Sequence, residues 1–569
     1  MARNNIYAGK PWLRWYDPEV PPRLEYPRLS YWDYARRAFE KLPDKTALIY
    51  MGQLISYREL DALSNRLARF LQEHGGEPGS TVGVHLPNIP ACYIASLAIQ
   101  KAGCVFSGVS PLLAPEELAY QLKDSGAKIL ITLDLFFEKV RQIIAQTDLN
   151  TIIVASIADY LPALKRLLGK LLKKIPAGPV TSLPGSEVIS FTRALSSMPE
   201  EPVKVEVDPE APALMMYTGG TTGPPKGAIL THNNMIHQLV QMTAWMRPEI
   251  GEHTILSAFP MFHQAGNFVA LWSFSLGSTQ VLVPDPRDLD YIVAAIKKYR
   301  PSTMINVPTL FLELLKHPGF RALDFSDVQY AASGASPFPA DSIEELEKLI
   351  GRGKLIEVYG MTETSPILTA LPRDGIKKAG SVGLPISDTE IRLVDPATGE
   401  EVPPGEPGEL VARGPQVFTK GYHNKPEETA KTLRDGWIYT GDIAVMDEDG
   451  YFYIVDRVKD MVNISGFKVF TRLVDETLMK HPDVHIAAAV GLPDPKRPGS
   501  EILACGVVLK PGRRGDEAMR QEIVSFLKNK LAPYKVPRII RFMDQLPMSS
   551  VGKVLKKDLR KIMEQEQAR

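Results

Sequence analysis

Between two apolar runs the chain reads YTGGTTGPPKGAILTH, residues 217–232. Successive backbone N–H groups in a glycine-rich turn can converge on phosphate oxygens. Gly219, Gly220 and Gly223 free the turn, Thr218, Thr221 and Thr222 add hydroxyl donors, and Lys226 adds a positive charge. The chemistry implied is the holding of a phosphate chain. The pattern is not that of a P-loop, because Pro225 precedes the lysine and no Ser or Thr follows it. GAIL, directly beyond, reads as a strand rather than a helix, so the loop is expected to join two strands.

The elements around the loop alternate. SYRELDALSNRLARFLQEHG has apolar residues at helical spacing and ends in glycine, TVGVHLP reads as a strand, ACYIASLAIQKAG as a helix and AKILITL as a strand. The alternation returns in YIVAAIKKYRPSTMINVP and DVQYAASG. It predicts an α/β fold with two stacked, doubly wound parallel sheets. From about Ile386 the texture changes to strands with Gly and Pro at the turns, which predicts a small β-barrel or β-rich subdomain over residues 386–458. A charged break at residues 458–460 divides a large N-terminal domain, 1–458, from a small α+β C-terminal domain, 459–569.

The balance of 66 basic and 66 acidic residues leaves a formal net charge of +0, which argues against a nucleic-acid partner. Three cysteines, Cys92, Cys104 and Cys505, sit in apolar surroundings without CxxC spacing and read as buried thiols of a reducing, cytoplasmic compartment. No stretch approaches the roughly 20 apolar residues of a membrane span. Residues 161–176 place Leu164, Leu167, Leu168, Leu171, Leu172 and Ile175 on one helical face, with Lys165, Arg166, Lys170, Lys173 and Lys174 mostly elsewhere. The commoner reading of such a pattern is a surface helix packed on its own domain. The alternative is peripheral contact with the inner face of a membrane. A homodimer is compatible with the sequence.

The loop resembles the signature of the adenylate-forming enzymes: acyl-CoA ligases, luciferases and peptide-synthetase adenylation domains. Further stretches follow in that family's order: PMFHQAG (260–266), ASGASP (332–337), VYGMTETSP (358–366), YTGD (439–442), VDRVKDMVNISGFKV (455–469) and PMSSVGKVLKKDLR (547–560). The resemblance spans essentially the whole chain, and YTGGTTG together with KPWLRWYDPEVPP near the N-terminus is most similar to bacterial long-chain fatty-acid–CoA ligases. It implies a two-step reaction with ATP, Mg²⁺ and CoA. A carboxylate attacks the α-phosphate to give acyl-AMP and pyrophosphate, and the CoA thiol then displaces AMP.

The first step needs no general base, since the carboxylate is already ionised at neutral pH. Its obstacle is repulsion between anions, about 4 kcal/mol for unit charges ~4 Å apart at an effective dielectric near 20. The site must therefore supply positive charge. The resemblance assigns that charge to Lys553, which follows Gly552, and assigns Mg²⁺ to Glu363, with Thr218 as its partner. It places Thr362 at the α-phosphate, Gly334, Ala335, Ser336 and Tyr359 around the nucleotide base, and Gly360 and Met361 among the residues that bind ATP and AMP. It gives the ribose to Asp442 and Arg457, the hinge to Lys459 and the pantetheine channel to Ser465 and Gly466. His263 falls beside the acyl-adenylate. One departure stands out: after GFKV the family carries Pro and then Glu-Ile-Glu, whereas this chain reads FTRLVDETL, with Phe470, Thr471 and Leu473 in the altered positions. That bears on the surface of the small domain and its CoA contacts. Aryl-acid CoA ligases of the coumarate or benzoate type share every motif quoted, as do acyl-AMP ligases that feed a carrier protein. A nucleotide-binding scaffold without turnover is opposed by the retained Lys553 and Glu363.

Overall fold

The computed structural model describes residues 7–162, 165, 175–218, 224–336, 338–464, 467–495, 497, 500–548 and 554–567. The chain divides into two compact units. One comprises Trp12–Glu390 and Arg413–Ile438; the other comprises Met1–Pro11, Ile391–Ala412 and Tyr439–Arg569.

The larger unit holds two sheets. Its strands in chain order are β1 (Thr46–Tyr50), β2 (Gln53–Ser56), β3 (Thr81–His85), β4 (Val105–Gly108), β5 (Ile129–Leu133), β6 (Thr151–Ala155), β7 (Glu187–Ser190), β8 (Pro212–Thr218), β9 (Lys226–Thr231), β10 (Thr254–Ser257), β11 (Thr279–Leu282), β12 (Thr303–Asn306), β13 (Tyr330–Ser333), β14 (Leu355–Tyr359), β15 (Thr369–Ala370) and β16 (Leu384–Pro385). A seven-stranded sheet runs β7-β6-β5-β3-β4-β8-β9, and a nine-stranded sheet runs β16-β15-β14-β13-β12-β10-β11-β1-β2. The interiors are parallel, as the alternation predicts. The margins differ from a purely parallel sheet: β9 returns antiparallel on β8, β2 on β1, β15 on β14 and β16 on β15. The connections into β2, β9 and β15 are too short for a parallel neighbour, which needs a crossover of a dozen residues or more.

Local sequence sets the element ends. The helix Tyr57–Glu73 starts in a capping box, with Ser56 and Glu59 each accepting the other's backbone N–H. It stops where Gly75 takes a left-handed φ of 87°. Apolar side chains of the helices Leu289–Tyr299, Pro308–Lys316 and Ala340–Ile350 pack on the nine-stranded sheet. Those of Pro115–Asp124 and Phe137–Ile143 pack on the seven-stranded one.

The β-rich segment gives β17 (Glu390–Val394), β18 (Gly408–Arg413), β19 (Leu433–Arg434), β20 (Trp437–Met446) and β21 (Phe452–Arg457), with β18 between β17 and β20 and β21 on β20. In the second unit, beyond that segment, the strands Val484–Pro493, Glu501–Leu509 and Ile539–Phe542 form a three-stranded sheet. Alternate residues of its edge strand face opposite ways. Ala487 and Ala489 pack with Val474, Leu478, Ile523 and Leu527 on one face. Ala488 and Val490 pack with Leu559 and Met563 of the last helix on the other. This compact division groups Ile391–Ala412 and Tyr439–Arg569 in one unit and leaves Arg413–Ile438 with the larger one, so it does not fall at the expected boundary at residues 458–460. All three cysteines are free and buried. Burial pushes the thiols of Cys92 and Cys104 up to about 12 and about 11.

Candidate active site

The glycine–threonine loop leaves β8 at Thr218 and re-enters β9 at Lys226, and these two residues sit opposite each other in the antiparallel ladder. The expectation that it joins two strands holds. Residues Gly219, Gly220, Thr221, Thr222 and Gly223 lie outside the described residues. At its foot the Thr218 hydroxyl donates to the Lys226 carbonyl at 3.4 Å, and the Tyr217 hydroxyl donates to Asp124 Oδ2 at 2.7 Å.

The segment at residues 421–423 runs antiparallel along β9. Ile229 N–H donates to the Gly421 carbonyl at 3.0 Å and His423 N–H to the Gly227 carbonyl at 2.8 Å. That pairing delivers two side chains the sequence did not point to. The Tyr422 hydroxyl donates to Glu363 Oε1 at 2.6 Å, and its ring lies 4.9 Å beneath the Lys226 ammonium. Glu428, on the helix Pro426–Thr432, pairs with Lys226 at 2.6 Å and with Lys431 at 2.7 Å. These two lysines hold the Glu428 carboxyl well below its ordinary range. Burial and the Glu363 charge push the Tyr422 phenol up, so it stays a donor. GYHNKPEETAKTL gives no periodic or motif signal for either residue, because their partners lie 59 and 202 residues away.

Glu363 stands on the single turn Thr362–Thr364 just beyond β14 and is only 3% exposed. The turn is locked from both sides. Met361 N–H donates to the Thr364 hydroxyl at 3.0 Å, that hydroxyl in turn donates to the Pro366 carbonyl at 3.0 Å, and Phe418 N–H donates to the Glu363 carbonyl at 2.8 Å. Gly360 is required by packing, since a Cβ there would lie 2.0 Å from the Pro366 carbonyl oxygen. Gly334 follows the same logic against Val358, at 2.7 Å from its Cγ2. Ala335 takes a left-handed φ of 72°. Gly334, Ala335 and Ser336 thus leave the C-terminal end of β13 beside the end of β14, where Tyr359 sits. In open α/β sheets ligands bind at such strand ends.

Among the described residues no group of three or more His, Cys, Asp or Glu is arranged to hold a metal. Mg²⁺ in nucleotide sites takes one or two protein carboxylates and completes its shell with phosphate oxygens and water. A buried carboxylate oriented by a phenol fits that donor set, with Glu363 as the residue that would hold the ion.

His263 precedes the helix Gln264–Ser275. Burial lowers its imidazole to about 4, so the ring is neutral at pH 7, and its Nε2 is buried with no hydrogen-bond partner among the described residues.

In the second unit Asp442 and Arg457 face each other across β20 and β21, with Arg457 Nε 3.1 Å from Asp442 Oδ1. Lys459 lies in the turn that follows, where Val458 N–H donates to the Gly441 carbonyl at 2.9 Å. Ser465 and Gly466 lie outside the described residues, between the paired strands Val462–Ile464 and Phe467–Val469. Lys553 also lies outside them.

Two family descriptions match the chain: "AMP-binding enzyme" over residues 35–423 and "AMP-binding enzyme C-terminal domain" over residues 473–553. The chain belongs to the AMP-binding enzyme family. It is 36% identical over 565 residues to a long-chain-fatty-acid–CoA ligase of Bacillus subtilis (strain 168), covering 99% of each chain. It is 37% identical over 558 residues to one of Escherichia coli O157:H7, covering 97% of this chain and 98% of the other. Among solved structures it is similar to the anthranilate CoA ligase AuaEII in complex with anthranoyl-AMP, with a TM-score of 0.82 and 25% identity, covering 96% of this chain and 99% of that one.

Proposed function

We propose that the protein joins a long-chain fatty acid to CoA at the expense of ATP, through an acyl-AMP intermediate, releasing pyrophosphate and AMP. The observation that carries this reading is the end-to-end match to fatty-acid–CoA ligases, with Lys226 and Glu363 brought around Tyr422 at the foot of the strand-flanked loop.

In the larger unit, Thr218, Lys226 and the loop residues 219–223 hold the phosphates, and Thr362 reaches the α-phosphate. Glu363 holds Mg²⁺, with Thr218 as its partner; when bound, the ion offsets the phosphate charge that opposes an incoming carboxylate. Gly334, Ala335, Ser336 and Tyr359 receive the base, and Gly360 and Met361 complete the nucleotide site. His263, neutral, lies beside the acyl group and excludes a competing charge. In the second unit, Asp442 accepts from the ribose hydroxyls and Arg457 fixes its carboxylate. Lys553 bridges the substrate carboxylate and the nucleotide during the first step. Lys459 is the hinge, dividing residues 1–458 from a small C-terminal domain, 459–569, that turns between the two steps. Ser465 and Gly466 line the pantetheine channel. Anthranilate ligation, the activity named for the solved structure at 25% identity, makes an aryl acid the second reading. For residues 161–176 a surface helix packed on its own domain stays the preferred reading and peripheral membrane contact the alternative; no helix among the described residues is long and apolar enough to cross a membrane.

The test is Lys553→Ala. Acid-dependent exchange of pyrophosphate into ATP is expected to disappear, while thioester formation from supplied acyl-AMP persists. An unchanged exchange rate removes Lys553 from its role.

A further inference from the structure

The departure at FTRLVDETL has a structural consequence. Thr471 opens the helix Thr471–Met479, at the position where the resembling family carries proline. Proline is well suited to the first turn of a helix, so a threonine is not needed to start one. What the threonine adds is a hydroxyl with two charged partners. It donates to Asp456 Oδ2 at 3.0 Å and accepts from Lys556 Nζ at 2.6 Å. Lys556 also pairs with Asp475 Oδ2 at 2.6 Å, and Asp475 Oδ1 accepts from Ala489 N–H at 2.5 Å on the edge strand. The next residue reinforces the link: Arg472 N–H donates to Asp456 Oδ2 at 3.3 Å, and Arg472 Nη1 donates to the Ile454 carbonyl at 2.5 Å. Thr471 is fully buried, and Asp456 and Asp475 are buried.

These contacts share one topological feature. Ile454 and Asp456 lie on β21, before Lys459. Thr471, Arg472, Asp475 and Lys556 all come after it. The Lys556 ammonium answers the Asp475 carboxylate directly and reaches Asp456 through the Thr471 hydroxyl, while the Arg472 guanidinium is held by Glu476 at 2.7 Å. Burial lifts the Asp456 and Asp475 carboxyls above the ordinary range even with Lys556 alongside. A turn at Lys459 withdraws Thr471, Arg472 and Lys556 from Asp456 together, so the link exists in one orientation of the small domain only. Lys556 also anchors the start of the helix Lys556–Gln567, three positions beyond Lys553.

We propose that Thr471, held between Asp456 and Lys556, is a positioning residue that latches the strand before the hinge to the small domain beyond it, and so sets the balance between the two half-reactions. The proposal rests on the reading of Lys459 as the hinge. A hydrogen bond to a charged group is strong enough for its loss to change a two-state population by about tenfold or more.

The test uses the full-length protein with a fatty acid. Acid-dependent pyrophosphate exchange reads the first half-reaction, and CoA-dependent consumption of supplied acyl-AMP reads the second. Thr471→Pro and Thr471→Val are expected to change the ratio of the two rates about tenfold, one rate falling while the other holds or rises. Thr471→Ser is expected to keep the wild-type ratio. Thr471→Pro keeps the helix start, so misfolding of Thr471→Val does not end the test. Both rates falling together, or neither moving, overturns the latch. Lys459→Pro separates the two ideas, because proline fixes φ at the hinge. If it abolishes one half-reaction and spares the other while the Thr471 variants leave the ratio unchanged, the hinge stands and the latch falls. If both half-reactions survive Lys459→Pro, the hinge reading fails and the latch with it.

Discussion

Replacing Tyr422 by phenylalanine removes one oxygen from the buried pair with Glu363. The ring stays beneath Lys226, so the cation's aromatic support at 4.9 Å is kept. What is lost is a 2.6 Å donor to a carboxylate that is only 3% exposed. Hydrogen bonds to charged groups contribute about 1.5–3 kcal/mol. Loss of a partner that orients a metal-binding side chain typically weakens metal affinity or activity about 10- to 100-fold. Tenfold corresponds to about 1.4 kcal/mol, so the two scales agree. The assay is a Mg²⁺ titration of acid-dependent pyrophosphate exchange, with folding checked by circular dichroism. Tyr422→Phe is expected to need about 10 to 100 times more Mg²⁺ for half-maximal rate. A titration curve that superimposes on the wild type refutes the reasoning. So does a loss of rate that is equal at every Mg²⁺ concentration, since that would separate the phenol from the metal.

Two further outcomes follow from packing and burial. Gly360→Ala would set a methyl group 2.0 Å from the Pro366 carbonyl oxygen; the forced backbone shift is expected to lower the urea-unfolding free energy by about 1–3 kcal/mol and to reduce exchange through the displaced Thr362–Thr364 turn, and an unchanged midpoint with full exchange would contradict this. His85, His232 and His263 are held by burial at about 3, about 4 and about 4, so between pH 6.5 and 4 the unfolded chain takes up protons the folded chain refuses; stability is lost as pH falls through that window, by about 1.4 kcal/mol per pH unit for each histidine. His85→Asn is expected to flatten the pH dependence of the urea midpoint relative to wild type, and parallel curves would contradict that assignment.

Much of this architecture can be read from the linear pattern. Helical spacing and a terminal glycine locate Tyr57–Glu73, and alternating strands and helices fix two α/β sheets. The strand-flanked loop follows from GAIL lying directly beyond Lys226. Pairings across long sequence separations are not legible in the same way. Periodicity reports which face of an element is buried but not which distant residue meets it. Nothing around Tyr422 or Glu428 marks them as neighbours of Glu363 and Lys226, because that contact depends on the segment at residues 421–423 running along β9. Thr471 is visible in the sequence only as a departure from a resembling pattern. Its partners 15 and 85 residues away give that departure a physical meaning.

The central claim is tested most directly by incubating the protein with ATP, Mg²⁺ and either a long-chain fatty acid or an aryl acid, with and without CoA, and following pyrophosphate exchange and AMP release. The account predicts exchange with the fatty acid in the absence of CoA, and AMP release in step with thioester formation once CoA is added. Exchange with neither acid, or AMP release that proceeds to completion without CoA, would contradict it.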